Sequence, residues 1–127
     1  MCAKYNPPSP GQLERRAWGD GPIKAQPHLP SGETSPGETA PMLANCLPGE
    51  WMSGMFGIVP FWGNPKRLFH TTFTARVETV ARMASFRNAW RHRQFALIPM
   101  QSFYAVRYET GEAVRWRIER ADREPSP

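Results

Sequence analysis

The sequence predicts one domain of mixed fold, in which short β-strands outnumber a few short helices. The 127 residues are 40% hydrophobic, which is enough for a single core and too apolar for a fully disordered chain. Apolar runs such as Phe95–Pro99 have the length and composition of buried strands. The segments Tyr104–Tyr108 and Val114–Ile118 alternate in polarity around the turn sequence Glu109–Glu112, which predicts a β-hairpin.

The first part of the chain has a different amino-acid composition. Residues 6–50 hold nine of the 14 prolines, and the Pro/Gly-rich interval 19–50 is predicted to be loop. Within the first 18 residues, Leu13–Trp18 is the one segment that favours a short helix.

From Trp51 onward the pattern predicts regular elements. The apolar run Met55–Trp62 reads as a buried strand, and the β-branched run Thr71–Thr79 as an extended segment. Ser85 is a candidate N-cap for a short helix over Phe86–Arg93.

Positive charge is concentrated in one stretch. The formal net charge is +5, but residues 64–104 alone carry +6, with Glu78 as the one acid. Most of the bases there are arginine, which makes bidentate contacts with phosphate. A nucleic acid is therefore the first candidate partner, although charge alone does not establish it.

The cysteine content excludes several classes of protein. Cys2 and Cys46 are too few for a disulfide framework or a zinc cluster, so no metal and no cofactor are expected. The start of the chain lacks a signal-peptide pattern, and no apolar run approaches the ~18 residues of a membrane span. A reducing, cytoplasmic location is the default expectation.

Several sequence blocks occur in an order that resembles a known family. They are "MCAKY", "GMFGIVPFW", "TARVETV", "SFRNAW", "FALIP", "SFYAV" and "RWRIERAD". Together they resemble the SOS-response-associated peptidase (SRAP) family of abasic-site processing proteins. The family pattern reads Met-Cys-Gly-Arg-Tyr, Trp-Gly-Leu-Ile-Pro-x-Trp, Asn-Ala-Arg-x-Glu-Thr and Gly-Phe-Tyr-Glu-Trp. Each block is weak alone, and the order over nearly the whole chain carries the resemblance.

The resemblance implies an α+β fold with a distorted β-barrel-like core and short flanking helices. Residues 1–127 would then form a single, partial SRAP-like domain, because the chain stops before the segment that carries the family's catalytic histidine. The resemblance also implies a bacterial or phage-type cytoplasmic protein, associated with the nucleoid when bound to DNA.

The resemblance implies that Cys2 is the nucleophile. Family members remove Met1, and the exposed cysteine then bonds covalently to an abasic site in single-stranded DNA. The free α-amine of Cys2 would form a Schiff base with the sugar aldehyde, and the thiol would close a five-membered thiazolidine. The family's peptidase, hydrolase and lyase-type labels refer to this self-processing and abasic-site chemistry.

The predicted DNA contacts are cationic and aromatic. Arg76 matches the family's phosphate-binding arginine, and Lys4 keeps the positive charge that the family places beside the nucleophile. Trp62 is a candidate for base stacking, with core packing as the alternative. Arg82 and Arg87 belong to the basic stretch and are predicted to contact the DNA backbone.

Two positions with a catalytic role in the family depart from its pattern. Thr74 stands where the family has an asparagine that orients the reacting groups, and Ala105 replaces the glutamate that transfers protons. Alanine cannot move a proton, and Glu109 is roughly 13 Å further along the strand. Three hypotheses stay open: a covalent sensor of abasic sites, a DNA-binding remnant without catalysis, and a fragment completed by a partner chain.

Overall fold

The computed structural model describes residues 4–15, 32–64 and 71–126, so the predictions that concern Cys2 lie outside the described residues. Six short strands and two short helices follow one another along these ranges. In chain order they are β1 (Tyr5–Asn6), α1 (Pro10–Arg15), β2 (Thr39–Ala44), β3 (Trp51–Met55), α2 (Arg87–Arg91), β4 (Ala96–Leu97), β5 (Ser102–Glu109) and β6 (Glu112–Glu119).

The strands form two antiparallel sheets of three strands each. The first has the order β1-β5-β6 and the second the order β3-β2-β4. This mixture of antiparallel sheet and short helices confirms the α+β prediction. Over the described residues the two sheets do not close into a barrel. Neither of the described helices is long and apolar enough to cross a membrane.

The hairpin of β5 and β6 confirms the clearest sequence prediction. All eight residues of β5 pair with β6, from Ser102 opposite Glu119 to Glu109 opposite Glu112. Thr110 and Gly111 form the two-residue turn with φ of 50° and 86°. Positive φ at both central residues is the requirement of a type I′ turn, whose twist matches that of the strands.

The turn contains a strained threonine, which leads to a stability prediction. A β-branched residue at positive φ is unfavourable, whereas asparagine tolerates that conformation. We expect Thr110→Asn to raise the free energy of unfolding by about 0.5–1 kcal/mol, measured by urea denaturation. Gly111→Ala should lower it by about 1 kcal/mol, although its Cβ would meet nothing within 4 Å. Equal stability of both variants and the wild type would contradict the turn assignment.

The buried core lies where α1 packs on the second sheet. Leu13, Leu43 and Trp51 form its cluster. Ser9 begins α1 with a capping arrangement, because its backbone N–H donates to Oε1 of Gln12 at 2.9 Å and its hydroxyl accepts from the N–H of Gln12. The helix overlaps the predicted Leu13–Trp18, of which residues 16–18 lie outside the described part.

Aromatic contacts connect β1 with residues that follow the end of β3. The ring of Tyr5 in β1 meets Phe56 edge-on at 5.5 Å between centroids, and Phe56 meets Phe73 at 6.0 Å. Tyr5 also exchanges two backbone hydrogen bonds with Thr34, of 2.7 and 3.2 Å. The short β1 is therefore held on one side by β5 and on the other by Thr34.

The loop prediction for 19–50 is wrong over β2. Thr39–Ala44 pairs with β3 along five residues and with β4 along two. Proline has no N–H to donate to a neighbouring strand. Pro41 is tolerated because β4 pairs only with Leu43 and Ala44, so no β4 residue lies opposite Pro41 to accept a hydrogen bond. Pairing across the chain overrides the local signal of proline and glycine here.

Three further element predictions need correction. The strand predicted over Met55–Trp62 ends at Met55, since Gly57 turns the chain with φ of 108°. Thr71–Thr79 is a series of bends and turns in which the N–H of Val80 bonds to the carbonyl of Arg76. Only Ala96–Leu97 of the run Phe95–Pro99 is strand, and Leu97 is exposed.

The predicted helix exists but is shorter. It covers Arg87–Arg91 and follows Phe86, with no side-chain hydrogen bond at its start. Ser85 is therefore not its N-cap. Phe86 is buried just before the helix, while Trp90 within it is 41% exposed.

Candidate nucleic-acid interface

A polar network covers one face of the first sheet beside Lys4. The strand register explains it, because residues directly opposite one another in an antiparallel pair share a face. Asn6 lies opposite Ser102, and Tyr104 lies opposite Arg117. The carbonyl of Lys4 accepts a hydrogen bond of 3.3 Å from the N–H of Tyr104, so β1 stays on β5 up to Lys4.

Glu33 joins two cations on this face. Its Oε1 lies 2.8 Å from a terminal guanidinium nitrogen of Arg115, and its Oε2 lies 3.6 Å from Nζ of Lys4. The hydrogen bond from Arg115 is the main reason why the pKa of Glu33 lies below its ordinary value, while partial desolvation opposes it. A hydrogen bond with Tyr104 and the charges of Arg115 and Lys4 also lower this pKa. The carboxylate is therefore ionised at neutral pH.

Tyr104 holds the guanidinium of Arg115 in place. The guanidinium carbon lies 3.7 Å from the centre of the Tyr104 ring, which is a cation–π contact. The Tyr104 hydroxyl in turn accepts a hydrogen bond of 3.1 Å from Nδ2 of Asn6. Arg115 is thus oriented by an aromatic ring that β1 itself helps to position.

Arg117 is anchored next to this group. Its Nε donates to the hydroxyl of Ser102 at 3.1 Å, and the same hydroxyl accepts from Nδ2 of Asn6 at 2.9 Å. A terminal guanidinium nitrogen of Arg117 also lies 3.1 Å from Glu119. The face therefore carries Lys4, Arg115 and Arg117 together, with Tyr108 exposed further along the hairpin. Cations beside an exposed aromatic ring are suited to single-stranded nucleic acid.

The three arginines predicted to contact DNA lie in the segment between β3 and β4. Arg87 lines a cavity of about 560 Å³ with four further residues, Ala81, Asn88, Trp90 and Arg91. Neither Arg76 nor Arg82 is among the described residues that line it. Arg76 is exposed, and Arg82 donates to the carbonyl of Glu78 at 3.4 Å. Thr74 is half-buried just after Phe73.

The tryptophans divide between core and surface. Trp51 is 6% exposed and belongs to the core cluster. Trp62 is 57% exposed and Phe61 fully exposed, so both rings have a face available for stacking. The role of Trp62 in binding stays a prediction.

Ala105 lies on the opposite face of the hairpin from Lys4 and Tyr104. It stands directly across from Trp116, beside the pair Phe103 and Ile118. Alanine supplies no carboxylate at this position. The next carboxylate on the same strand is that of Glu109, four residues further along β5. In the described part of the chain, no three His, Cys, Asp or Glu side chains are grouped as a metal site, and Cys46 is exposed.

Sequence reasoning missed Glu33, Arg115 and Arg117 as site residues. The two arginines had a usable signal, because the predicted hairpin already placed them in alternation with Val114, Trp116 and Ile118. Glu33 had none, since it lies 82 residues from Arg115 in a segment with no periodic pattern.

Comparisons with known proteins identify a family and solved structures with the same fold. The family described as SOS response associated peptidase (SRAP) matches residues 1–126. A crystal structure of a protein from Bordetella bronchiseptica shares the fold with a TM-score of 0.70 at 24% identity, over 98% of this chain and 60% of that one. A protein from Bacteroides thetaiotaomicron has a TM-score of 0.72 at 14% identity, over 98% and 56%.

The chain thus spans less than two thirds of the length of either solved structure. The comparison with curated proteins finds no significant match. The family match covers almost every residue and is independent of the two structural matches. The chain belongs to the SRAP family, and this membership supports a role related to DNA damage and the SOS response.

Proposed function

We propose that this protein binds single-stranded DNA and captures abasic sites covalently through Cys2 after Met1 is removed. The observation that carries the proposal is the position of Lys4. Cys2 lies two residues before Lys4 in the chain, and two residues span at most roughly 7 Å. The proposed nucleophile is thus tethered beside a face that presents Lys4, Arg115 and Arg117.

The positive charge supports both steps of this function. Lys4 favours the thiolate form of a nearby cysteine, which is the better nucleophile. The arginines and the net charge of +5 favour a polyanion, whose affinity then falls steeply with salt. The same charge would hold the DNA backbone while the slower covalent step occurs.

The covalent step requires a free amine on Cys2. The neutral amine attacks the aldehyde of the opened abasic sugar and releases water, which leaves an imine. The thiolate then adds to the imine carbon, the nitrogen takes a proton, and a thiazolidine ring results. A retained Met1 keeps the nitrogen in a peptide bond and blocks the first step.

The experiment is an adduct assay. The protein is incubated with a single-stranded oligonucleotide that carries one abasic site, and the products are separated under denaturing conditions. We expect a shifted band with the wild type and none with Cys2→Ala, with Cys46→Ala forming the adduct like the wild type. Intact mass should show the loss of Met1. An adduct that persists in Cys2→Ala would contradict the proposal.

A second candidate is non-covalent DNA binding without capture, and Ala105 favours it. Proton transfer to and from the carbinolamine and imine normally needs a positioned acid or base, and an alanine opposite Trp116 supplies none. Salt-sensitive binding of the abasic oligonucleotide with no adduct, even after prolonged incubation, would support this candidate instead.

A further inference from the structure

Lys4 and Arg115 both contact the same anionic group, which is the side-chain carboxylate of Glu33. The two cations approach the two oxygens of the Glu33 carboxylate at 3.6 and 2.8 Å. A phosphate group is recognised by the same chemistry, a planar guanidinium and an ammonium on neighbouring oxygens. The carboxylate thus has the place and the charge that a bound phosphate would have.

We propose that Lys4 and Arg115 form a binding site for a DNA backbone phosphate, that the Glu33 carboxylate occupies this site in the free protein, and that the phosphate displaces it. The inference rests on the proposed DNA-binding function and deepens it. It assigns a phosphate contact outside the basic stretch of residues 64–104, and it makes Glu33 an internal competitor of DNA.

The displacement is feasible because all three side chains reach solvent. The side chains of Lys4, Glu33 and Arg115 are 48%, 33% and 47% exposed. Ion pairs at such exposure contribute little to stability, so a phosphate with more charge and more acceptor oxygens can replace the carboxylate. The backbone next to Glu33 need not move, because Thr34 stays paired with Tyr5.

Arg115 is prepared for a new partner. Its guanidinium is stacked on Tyr104 and so stays in orientation when Glu33 leaves. Arg117 lies on the same face two residues along β6, about 7 Å away by strand geometry. A second phosphate of the same strand can therefore contact Arg117 while the first occupies the Glu33 position.

The test compares two variants that change the net charge equally. Glu33→Gln removes the competing carboxylate. Glu112→Gln removes an exposed acid at the hairpin turn, on the opposite face of the sheet from Arg115. Binding of an undamaged fluorescent single-stranded oligonucleotide is measured by anisotropy at several salt concentrations. We expect Glu33→Gln to bind about two- to five-fold more tightly than Glu112→Gln, with a salt slope steeper by about 0.7.

Arg115 provides the second half of a double-mutant cycle. Arg115→Gln should weaken binding, and adding Glu33→Gln to it should give a clearly smaller gain over Glu112→Gln than in the wild-type background, because only Lys4 is then released. Equal affinities of Glu33→Gln and Glu112→Gln in the wild-type background would overturn the inference. A gain from Glu33→Gln that keeps its full size without Arg115 would overturn it as well.

A measurement on the unmutated protein removes any dependence on variant folding. The side-chain carboxyl carbon of Glu33 is followed by NMR during titration with the same oligonucleotide. We expect its signal to shift as DNA saturates the protein, and an unchanged signal at saturation would overturn the inference. If the wild type binds DNA normally while Glu33 does not respond, this inference fails alone. If neither the wild type nor Glu33→Gln binds, the proposed function fails with it.

Discussion

Replacing Trp51 with alanine is expected to lower the free energy of unfolding by about 3–5 kcal/mol. Trp51 is 6% exposed and packs with Leu13 and Leu43 in the core cluster. Its removal takes buried apolar surface out of the core and leaves a cavity. The surrounding short strands cannot move enough to fill that cavity. Since a domain of this size has a total stability of about 5–15 kcal/mol, this variant would lose a large part of it and unfold at a much lower urea concentration.

Trp62 offers a matched control for this prediction. Its side chain is 57% exposed in a turn, so Trp62→Ala should change the free energy of unfolding by no more than about 0.5 kcal/mol. The same substitution should weaken DNA binding if the ring stacks on a base, by about 1–3 kcal/mol. The two tryptophans would thereby separate a packing role from a binding role.

Urea denaturation followed by far-ultraviolet circular dichroism measures both variants without relying on tryptophan fluorescence. The expected order of midpoints is Trp51→Ala well below Trp62→Ala, with Trp62→Ala close to the wild type. Comparable losses in both variants would show that Trp62 is also packed. A wild-type midpoint for Trp51→Ala would contradict the core described here.

The second prediction with a large effect is an increase in the rate of adduct formation. We expect Ala105→Glu to accelerate formation of the abasic-site adduct by about 10²-fold, because a positioned carboxyl group typically contributes 10²–10⁴-fold to proton transfer. Ala105 follows Tyr104, whose N–H bonds to the carbonyl of Lys4. Ala105 occupies the position of the family's proton-transferring glutamate. The new carboxyl group would lie on the face of the hairpin opposite Lys4, so the prediction requires the reacting sugar to reach that face past the end of β1.

The surroundings of Ala105 suit an acid–base group. The neighbours on its face are Phe103 and Arg107 on the same strand and Trp116 across from it. The two rings disfavour the charged form of a new carboxyl group and raise its pKa, while the positive charge of Arg107 opposes this rise and can orient the group. Val114→Glu is the matched control, because it introduces the same group on the same face of the hairpin as Ala105 but further from β1, and away from the face of Lys4 and Arg115.

The measurement is the rate of adduct formation under single-turnover conditions, with folding checked by circular dichroism. A faster rate in Ala105→Glu than in Val114→Glu would support the view that the chain carries the nucleophile but lacks the proton-transfer group. Equal rates in the two variants would contradict it. Cys2→Ala combined with Ala105→Glu should again form no adduct.

Local patterns in the sequence predicted the parts of this fold that local patterns encode. The β5–β6 hairpin followed from strict alternation around Glu109–Glu112, because side-chain period and turn geometry depend on adjacent residues. The predictions for Met55–Trp62 and Thr71–Thr79 were wrong, since apolar and β-branched runs also occur in turns when their partners are elsewhere. β2 was missed because its pairing with β3 and β4 outweighs a proline in its own sequence.

The sequence by itself determined the family, the excess of positive charge and the presence of Cys2 next to Met1. Only the tertiary structure decided which tryptophan is buried, and which charges meet. Glu33 lies 82 residues from Arg115, and only the path of β1 between Thr34 and β5 brings both to Lys4. The composition gives the number of charged residues but not their positions in space. This face is a candidate site for DNA because the fold brings these particular charges together.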